Sequence, residues 1–126
     1  MVAETPILVV DDDAASGHVI EQTLLAAGLT PVIAPSGSQA LAWLSAHRPA
    51  VVLLDLGMLA EDGYTVLDCI RQNPQFADIP VVVLTALESD QEVASVFASG
   101  ADDYVHKPLD ADRFIVRVKA VLRRAE

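Results

Sequence analysis

Asp11, Asp12, Asp55, Thr85 and Lys107 form a set of functional groups that could bind a metal and a phosphoryl group: three carboxylates, a hydroxyl and an ammonium. Each lies at or just beyond the end of a short β-forming run: ILVVDDD at 7–13, AVVLLD at 50–55, PVVVLT at 80–85 and DDYVHKP at 102–108. Hard carboxylate oxygens suit Mg²⁺, which takes one or two carboxylates and keeps waters and phosphate oxygens as its other ligands. A carboxylate at such a metal is also a nucleophile toward phosphorus, giving an acyl phosphate. A lysine ammonium and a threonine hydroxyl would then bind the oxygens of the transferred group.

Each residue also has a plainer reading. Asp11, Asp12 and Asp13 repel one another, and a solvated loop opening a helix would account for all three, since acids are favoured near helix N-termini. For Asp13 a cap or first-turn charge is the better reading. Asp55 resists such an account, because it follows AVVLL and a buried unpaired carboxylate costs several kcal/mol. Thr85 is a good β-former in its own right. Tyr104 could be an edge-strand aromatic packed on a neighbour. Asp62-Gly63 reads as a turn and helix start. Trp43, spaced with Leu41 and Leu44, reads as core or helix surface, and Cys69 as an inert buried thiol. His18, His47 and His106 are too scattered for a metal cluster, and none is placed as a phosphodonor.

Elements must bring these residues together. Strand-like runs at about 6–11, 30–34, 50–55, 80–85 and 102–106 alternate with helical stretches near 14–27, 37–47, 63–73, 89–99 and 110–125. The strands are nearly continuously apolar, as expected where both faces are covered. Gly28 and Gly100 sit where helix C-terminal glycines belong, and Pro49 and Pro80 stand just before strands. Alternation of this kind implies a parallel sheet with right-handed crossovers and helices on both faces. Ligands in such sheets bind outside the carboxyl ends of the strands, where strand order reverses. Without a linker, repeat or low-complexity tract, residues 1–126 are expected to form one compact α/β domain.

Composition narrows the function classes. A 52% hydrophobic and 21% charged content is that of a globular chain and not a disordered one. No apolar run approaches the roughly 18–20 residues of a membrane span. MVAETP lacks a basic region followed by an apolar stretch, so no signal peptide is expected. The single cysteine excludes an internal disulfide framework and fits a cytoplasmic setting. Eighteen acidic against eight basic side chains give −10, which argues against direct contact with nucleic acid or anionic membrane. The charge is uneven: RFIVRVKAVLRR alone holds five of the eight bases.

The motifs VVDDD at 9–13, VVLLDLGM-x-x-x-DG at 51–63, VVLTA at 82–86 and GADDYVHKP at 100–108 together resemble a response-regulator receiver domain, over essentially the whole chain. Any one motif is weak, but all four in order and spacing are specific. The resemblance implies a flavodoxin-like (βα)5 fold, a five-stranded parallel sheet of order 2-1-3-4-5 with helices on both faces. It implies that Asp55 accepts a phosphoryl group from a sensor histidine kinase or a phosphotransfer protein, with Mg²⁺ or Mn²⁺ as cofactor. In that pattern Asp12 is a direct metal ligand, Asp11 holds the metal through water, and Asp55 and the Gly57 carbonyl complete the protein's share. Thr85 and Lys107 contact the phosphoryl group, helped by the Ala86 amide, and Tyr104 packs inward when Thr85 moves. Lys107-Pro108 corresponds to the family's cis peptide. The implied product is a signalling switch, not a conventional enzyme, whose fourth helix, fifth strand and fifth helix control an output domain or downstream protein.

Several positions depart from the pattern. Leu59 follows Met58 where the family has proline, and Gly57 and Leu87 present no polar side chain to guide a hydrolytic water. GADDYVHKPLDADRFIVRVKAVLRR resembles the winged-helix transcription-factor branch, whose members dimerise through the fourth helix, fifth strand and fifth helix. Asp103 and Arg117 match one intermolecular pair of that branch, whereas Val93, Ala98 and Arg113 break two others. An interface of this chain would therefore be more apolar, using Val93, Val96 and Phe97. The RVKAVLRRAE ending stops where a linker would begin, as expected of a stand-alone regulator or of the receiver of a longer protein. Aspartyl-phosphate phosphatases need a second aspartate two residues beyond the nucleophile, where this chain has Gly57. A receiver-like module that is never phosphorylated is opposed by the complete set of polar residues. An FMN binder of the flavodoxin type is excluded because no Ser/Thr/Gly-rich loop follows the first strand.

Overall fold

The structure, a computed structural model, describes residues 5–58, 63–86 and 89–124. In chain order the elements are β1 (Pro6–Val10), α1 (Ala14–Ala26), β2 (Thr30–Ala34), α2 (Gly37–Leu44), β3 (Val51–Asp55), α3 (Gly63–Gln72), β4 (Val81–Thr85), α4 (Asp90–Ala98), β5 (Asp103–His106) and α5 (Ala111–Arg124). Every expected element is present, and most are a residue or more shorter than the sequence pattern. Leu59, Asp62 and Leu87 lie outside the described residues.

The strands form one parallel sheet in the order β2-β1-β3-β4-β5. Successive side chains of a strand point to opposite faces, which is why the central strands are apolar throughout. Leu8, Val10, Val52, Leu54, Val81 and Val83 pack with Ala40 and Leu44 of α2, Val66, Leu67 and Ile70 of α3 and Val96 of α4. Ile7, Val9, Val51, Leu53, Val82 and Leu84 pack on the other face with Ile20 and Leu24 of α1 and Phe114, Val118 and Val121 of α5. Each fully buried Val, Leu or Ile contributes on the order of 1.5–3 kcal/mol, so two such layers hold the sheet in register.

Local chemistry sets the helix ends. Asp13 caps α1 in extended backbone, accepting from the amides of Ala15 at 3.0 Å and Ser16 at 3.5 Å. Gly28 and Gly100, with φ of +81° and +105°, close α1 and α4 as the glycine signals predict. The amides of Gly28 and Leu29 donate to the Leu25 and Leu24 carbonyls, and those of Gly100 and Ala101 to Phe97 and Val96. Gly63 lets α3 start against the end of β3, since a Cβ there would meet the Leu56 Cα at 2.7 Å.

Two sequence expectations are corrected. Cys69 is exposed, not buried. The inward face of α3 is Gly63, Val66, Leu67 and Ile70, which turns Cys69 outward beside Asp68. Val96 is fully buried in the sheet-facing core, so of the three apolar residues assigned to an interface on α4 only half-buried Val93 and 44%-exposed Phe97 can reach a partner. Trp43 packs partly buried on the core and stacks on His47, ring centroids 4.6 Å apart. No described helix is long and apolar enough to cross a membrane.

Candidate functional site

The chain leaves β1 for β2 on one side and returns to β3 on the other, so strand order reverses between β1 and β3. Val10 pairs with Leu54 across that junction, and the next residues along, Asp11 and Asp55, emerge side by side. One strand further, Asp55 pairs with Leu84, and Thr85 with His106, which delivers Lys107 to the same end of the sheet. The Lys107 amide donates to the Thr85 carbonyl at 2.8 Å, and the Lys107–Pro108 peptide is cis. Asp11, Asp55 and Thr85, exposed by 2%, 4% and 6%, are the buried polar side chains among the described residues, and all three lie here.

Asp55 is satisfied on both oxygens. Lys107 Nζ donates to Oδ2 at 2.7 Å, and the Gly57 amide donates to Oδ1 at 2.8 Å. A side chain at Gly57 would crowd this arrangement, because a Cβ there would lie 3.3 Å from Asp55 Oδ1. Asp11 is held by the Ser16 hydroxyl, which donates to Oδ2 at 2.6 Å, and by the Asp13 amide, which donates to Oδ1 at 2.9 Å. Burial pushes the Asp11 carboxyl above the ordinary carboxylate value; the Ser16 and Asp13 hydrogen bonds oppose this, the nearby charge of Asp55 adds to it, and Lys107 partly offsets it. Asp12 is half-buried beside them, whereas Asp13 is exposed and serves the α1 cap.

Asp55, Gly57, Thr85, Ala86 and Lys107 line one cavity of about 490 Å³ with Leu56, Tyr64 and Glu92. Tyr104 is not in that wall. It stands half-buried toward α4 and α5, edge-on to Phe97 at 5.9 Å and beneath the Arg117 guanidinium at 5.9 Å. Arg117 also donates to Asp103 at 2.9 Å, so the pair that sequence resemblance assigns to a dimer contact closes within one chain. The lining residues Tyr64 and Glu92 and the Asp11 partner Ser16 carry no motif signal. Ser16 is legible only as a hydroxyl in the first turn after the acids.

The residues present fit a hard divalent cation. Among the described residues no group of three or more His, Cys, Asp or Glu converges to chelate a metal by itself. Mg²⁺ does not need one, since one or two carboxylates with water and phosphate oxygens suffice. Asp11 and Asp55 offer two buried carboxylates at adjacent strand ends, and their mutual repulsion favours a cation between donor and protein. A larger cavity, about 790 Å³, opens at the opposite end of the sheet near Thr5, Pro80 and Val121. Three of its four described charged lining residues are engaged in ion pairs: Arg48 pairs with Asp78 at 2.8 Å, and Asp102 with Arg71 at 2.7 Å, while Arg124 completes the set.

Fold and site together define a flavodoxin-like (βα)5 protein with acids and a lysine at its strand-order reversal. The chain belongs to the response regulator receiver domain family, whose model matches residues 7–119. It is 39% identical over 120 residues to the DNA-binding dual master transcriptional regulator RpaA of Synechocystis, covering 95% of this chain and 50% of that protein. It is 35% identical to the heme response regulator HssR of Staphylococcus haemolyticus, covering 93% of this chain and 51% of the relative. The chain thus spans about half the length of the curated relatives it matches. Among solved structures, the receiver domain of the Francisella response regulator 1452 is 30% identical with a TM-score of 0.89, covering 98% of this chain and all of that one. The chemotaxis protein CheY4 of Vibrio cholerae is 25% identical with a TM-score of 0.86, covering 94% and 98%.

Proposed function

We propose that residues 1–126 form a single receiver domain that accepts a phosphoryl group on Asp55 from a histidine kinase or phosphotransfer protein. The observation that carries this is the buried Asp55 carboxylate, held by Lys107 Nζ at 2.7 Å and the Gly57 amide at 2.8 Å in a cavity open to a donor. These bonds fix the carboxylate in place and, taking one lone pair on each oxygen, leave the second for attack. An Asp55 oxygen forms the new P–O bond as the P–N bond of a phosphohistidine breaks, and the imidazole nitrogen leaves with the electron pair. Lys107 shifts its charge to the phosphoryl oxygens, and the Thr85 hydroxyl and Ala86 amide donate to them. Asp11, Asp12, Asp55 and the Gly57 carbonyl would hold Mg²⁺ or Mn²⁺, which when bound supplies positive charge against the anionic donor.

Movement of Thr85 toward the phosphoryl group opens space for Tyr104, and the Phe97 and Arg117 contacts of that ring carry the change to α4 and α5. That face is the output surface, acting on a further domain of a longer protein, a downstream protein or a second copy of the chain. The transfer is catalysed by the domain itself, with slow autodephosphorylation resetting it; the setting is cytoplasmic, without direct contact to nucleic acid or membrane.

The test is incubation of wild type and Asp55→Asn with acetyl phosphate and Mg²⁺, read by intact mass. One phosphoryl addition to wild type and none to the variant is expected. Labelling that survives the substitution would sink Asp55 as acceptor, and an unlabelled wild type would favour a receiver-like module that works without phosphorylation.

A further inference from the structure

Glu92 lines the same cavity from the first turn of α4 and has no part in the chemistry above. Ser89 caps that helix, its hydroxyl accepting from the Glu92 amide at 3.2 Å. The main chain of residue 92 makes this bond, so the cap does not depend on a carboxylate there. The lining also includes Gly57, which has no side chain, and the aromatic Tyr64. Glu92 is therefore the one acidic side chain besides Asp55 among the described lining residues, and it is exposed, at the mouth and not the floor.

We propose that Glu92 is a specificity-determining residue that selects phosphodonors by charge, disfavouring small free donors in proportion to the negative charge they carry. The inference rests on Asp55 being the phosphoacceptor. A phosphohistidine presented by a protein that brings a basic group to the first turn of α4 escapes the penalty, whereas a free dianion does not. Coulomb repulsion scales with the product of the charges, so the two kinds of donor differ in a defined way. If neutralising Glu92 speeds a monoanionic donor by some factor, it speeds a dianionic one by about the square of that factor. A change in the shape of the site would instead move both donors alike.

The experiment compares acetyl phosphate, a dianion near neutral pH, with phosphoramidate, a monoanion. With the first, the Asp55 oxygen bonds to phosphorus as acetate leaves with the electron pair of the broken P–O bond. With the second, the P–N bond breaks and ammonia leaves with the pair. Second-order labelling rates of the full chain are measured by rapid-quench mass spectrometry at fixed Mg²⁺ and low ionic strength, for wild type, Glu92→Gln and Glu92→Lys. Glu92→Gln is expected to speed phosphoramidate about two-fold and acetyl phosphate about four-fold, and Glu92→Lys to extend both gains. The gains should collapse near 0.5 M salt, roughly where charges more than a few ångströms apart are screened. Equal gains for both donors, salt-independent gains or no gain would overturn the role of Glu92 and leave Asp55 as acceptor. Absence of labelling in wild type with either donor would overturn both.

Discussion

Lys107 Nζ lies 2.7 Å from Asp55 Oδ2, an ion pair between residues 52 positions apart whose carboxylate side chain is 5% exposed and whose ammonium side chain is 27% exposed. Without a metal this pair is what allows a charged aspartate to end a fully buried strand. Removing one member of a buried pair strands the other charge, which costs more than the pair itself contributes.

Lys107→Met should accordingly destabilise the metal-free protein by about 2–4 kcal/mol. Asp55→Asn/Lys107→Met should recover most of that loss, because neither charge is then stranded. Urea midpoints of the two single variants and the double variant in EDTA provide the check. A double variant as unstable as Lys107→Met would show that the lysine acts through packing of its stem and not through its charge.

Asp11 carries a pH signature. Its carboxyl is raised by burial, so the folded state holds the proton more tightly than the unfolded state does. The stability it contributes is fully present below the unfolded value, near 3.8, and is lost as pH rises through the raised folded value. In EDTA, Asp11→Asn should flatten this part of the stability–pH curve and stabilise the protein at neutral pH. Parallel curves for wild type and variant would refute the account.

The three consecutive aspartates should separate by role. Asp12→Ala should abolish Mg²⁺ binding and Asp11→Ala weaken it, followed by titration calorimetry. Asp13→Ala should leave Mg²⁺ affinity nearly unchanged and instead cost about 1 kcal/mol through loss of the α1 cap. Equal losses of affinity at all three positions would show the division to be wrong.

Arg71 ties α3 to the two connections that lead into β4 and β5, residues 77–79 and 100–102. Its guanidinium donates to the carbonyls of Gly100 at 2.7 Å and of Ala77 and Ile79 at 3.1 and 2.6 Å, and to Asp102 Oδ2 at 2.7 Å. Arg71→Ala should destabilise by about 2–4 kcal/mol, and Arg71→Lys should rescue little, since one ammonium cannot replace the planar fork. Thermal unfolding of both variants gives the answer, and a fully rescuing lysine would reduce the network to a simple ion pair.

Phosphorylation is expected to promote pairing through α4, β5 and α5, with Phe97 and Val93 supplying the apolar contact and Asp103 with Arg117 exchanging from an intrachain to an interchain bond. Sedimentation of beryllofluoride-treated protein should show a concentration-dependent dimer that Phe97→Asp abolishes. A monomer at high concentration would eliminate this surface as a self-contact.

Much of the molecule is legible in its sequence because the signals are local. Continuous apolar runs announce strands covered on both faces, glycines mark the ends of α1 and α4, and an aspartate before an alanine-rich turn announces the cap at Asp13. The strand-end rule brings Asp11, Asp55, Thr85 and Lys107 to one edge before any coordinates are considered. Cys69 reads as buried from sequence because Val66, Leu67 and Ile70 around it are apolar, and only the helix phase turns it away from them.

The chain order of β-forming runs and helical stretches, with the types of residue at the run ends, determined by itself the parallel α/β architecture and the chemistry available to it. These follow from periodicity and capping, which act over a few residues. Four adjacencies emerge only in the folded chain: Val96 turns into the core, Asp103 meets Arg117, Ser16 holds Asp11, and Glu92 shares a wall with Asp55. Such adjacencies depend on the register of strands distant in sequence and on the phase at which each helix seats its apolar face, and both are set by packing the two core layers as a whole.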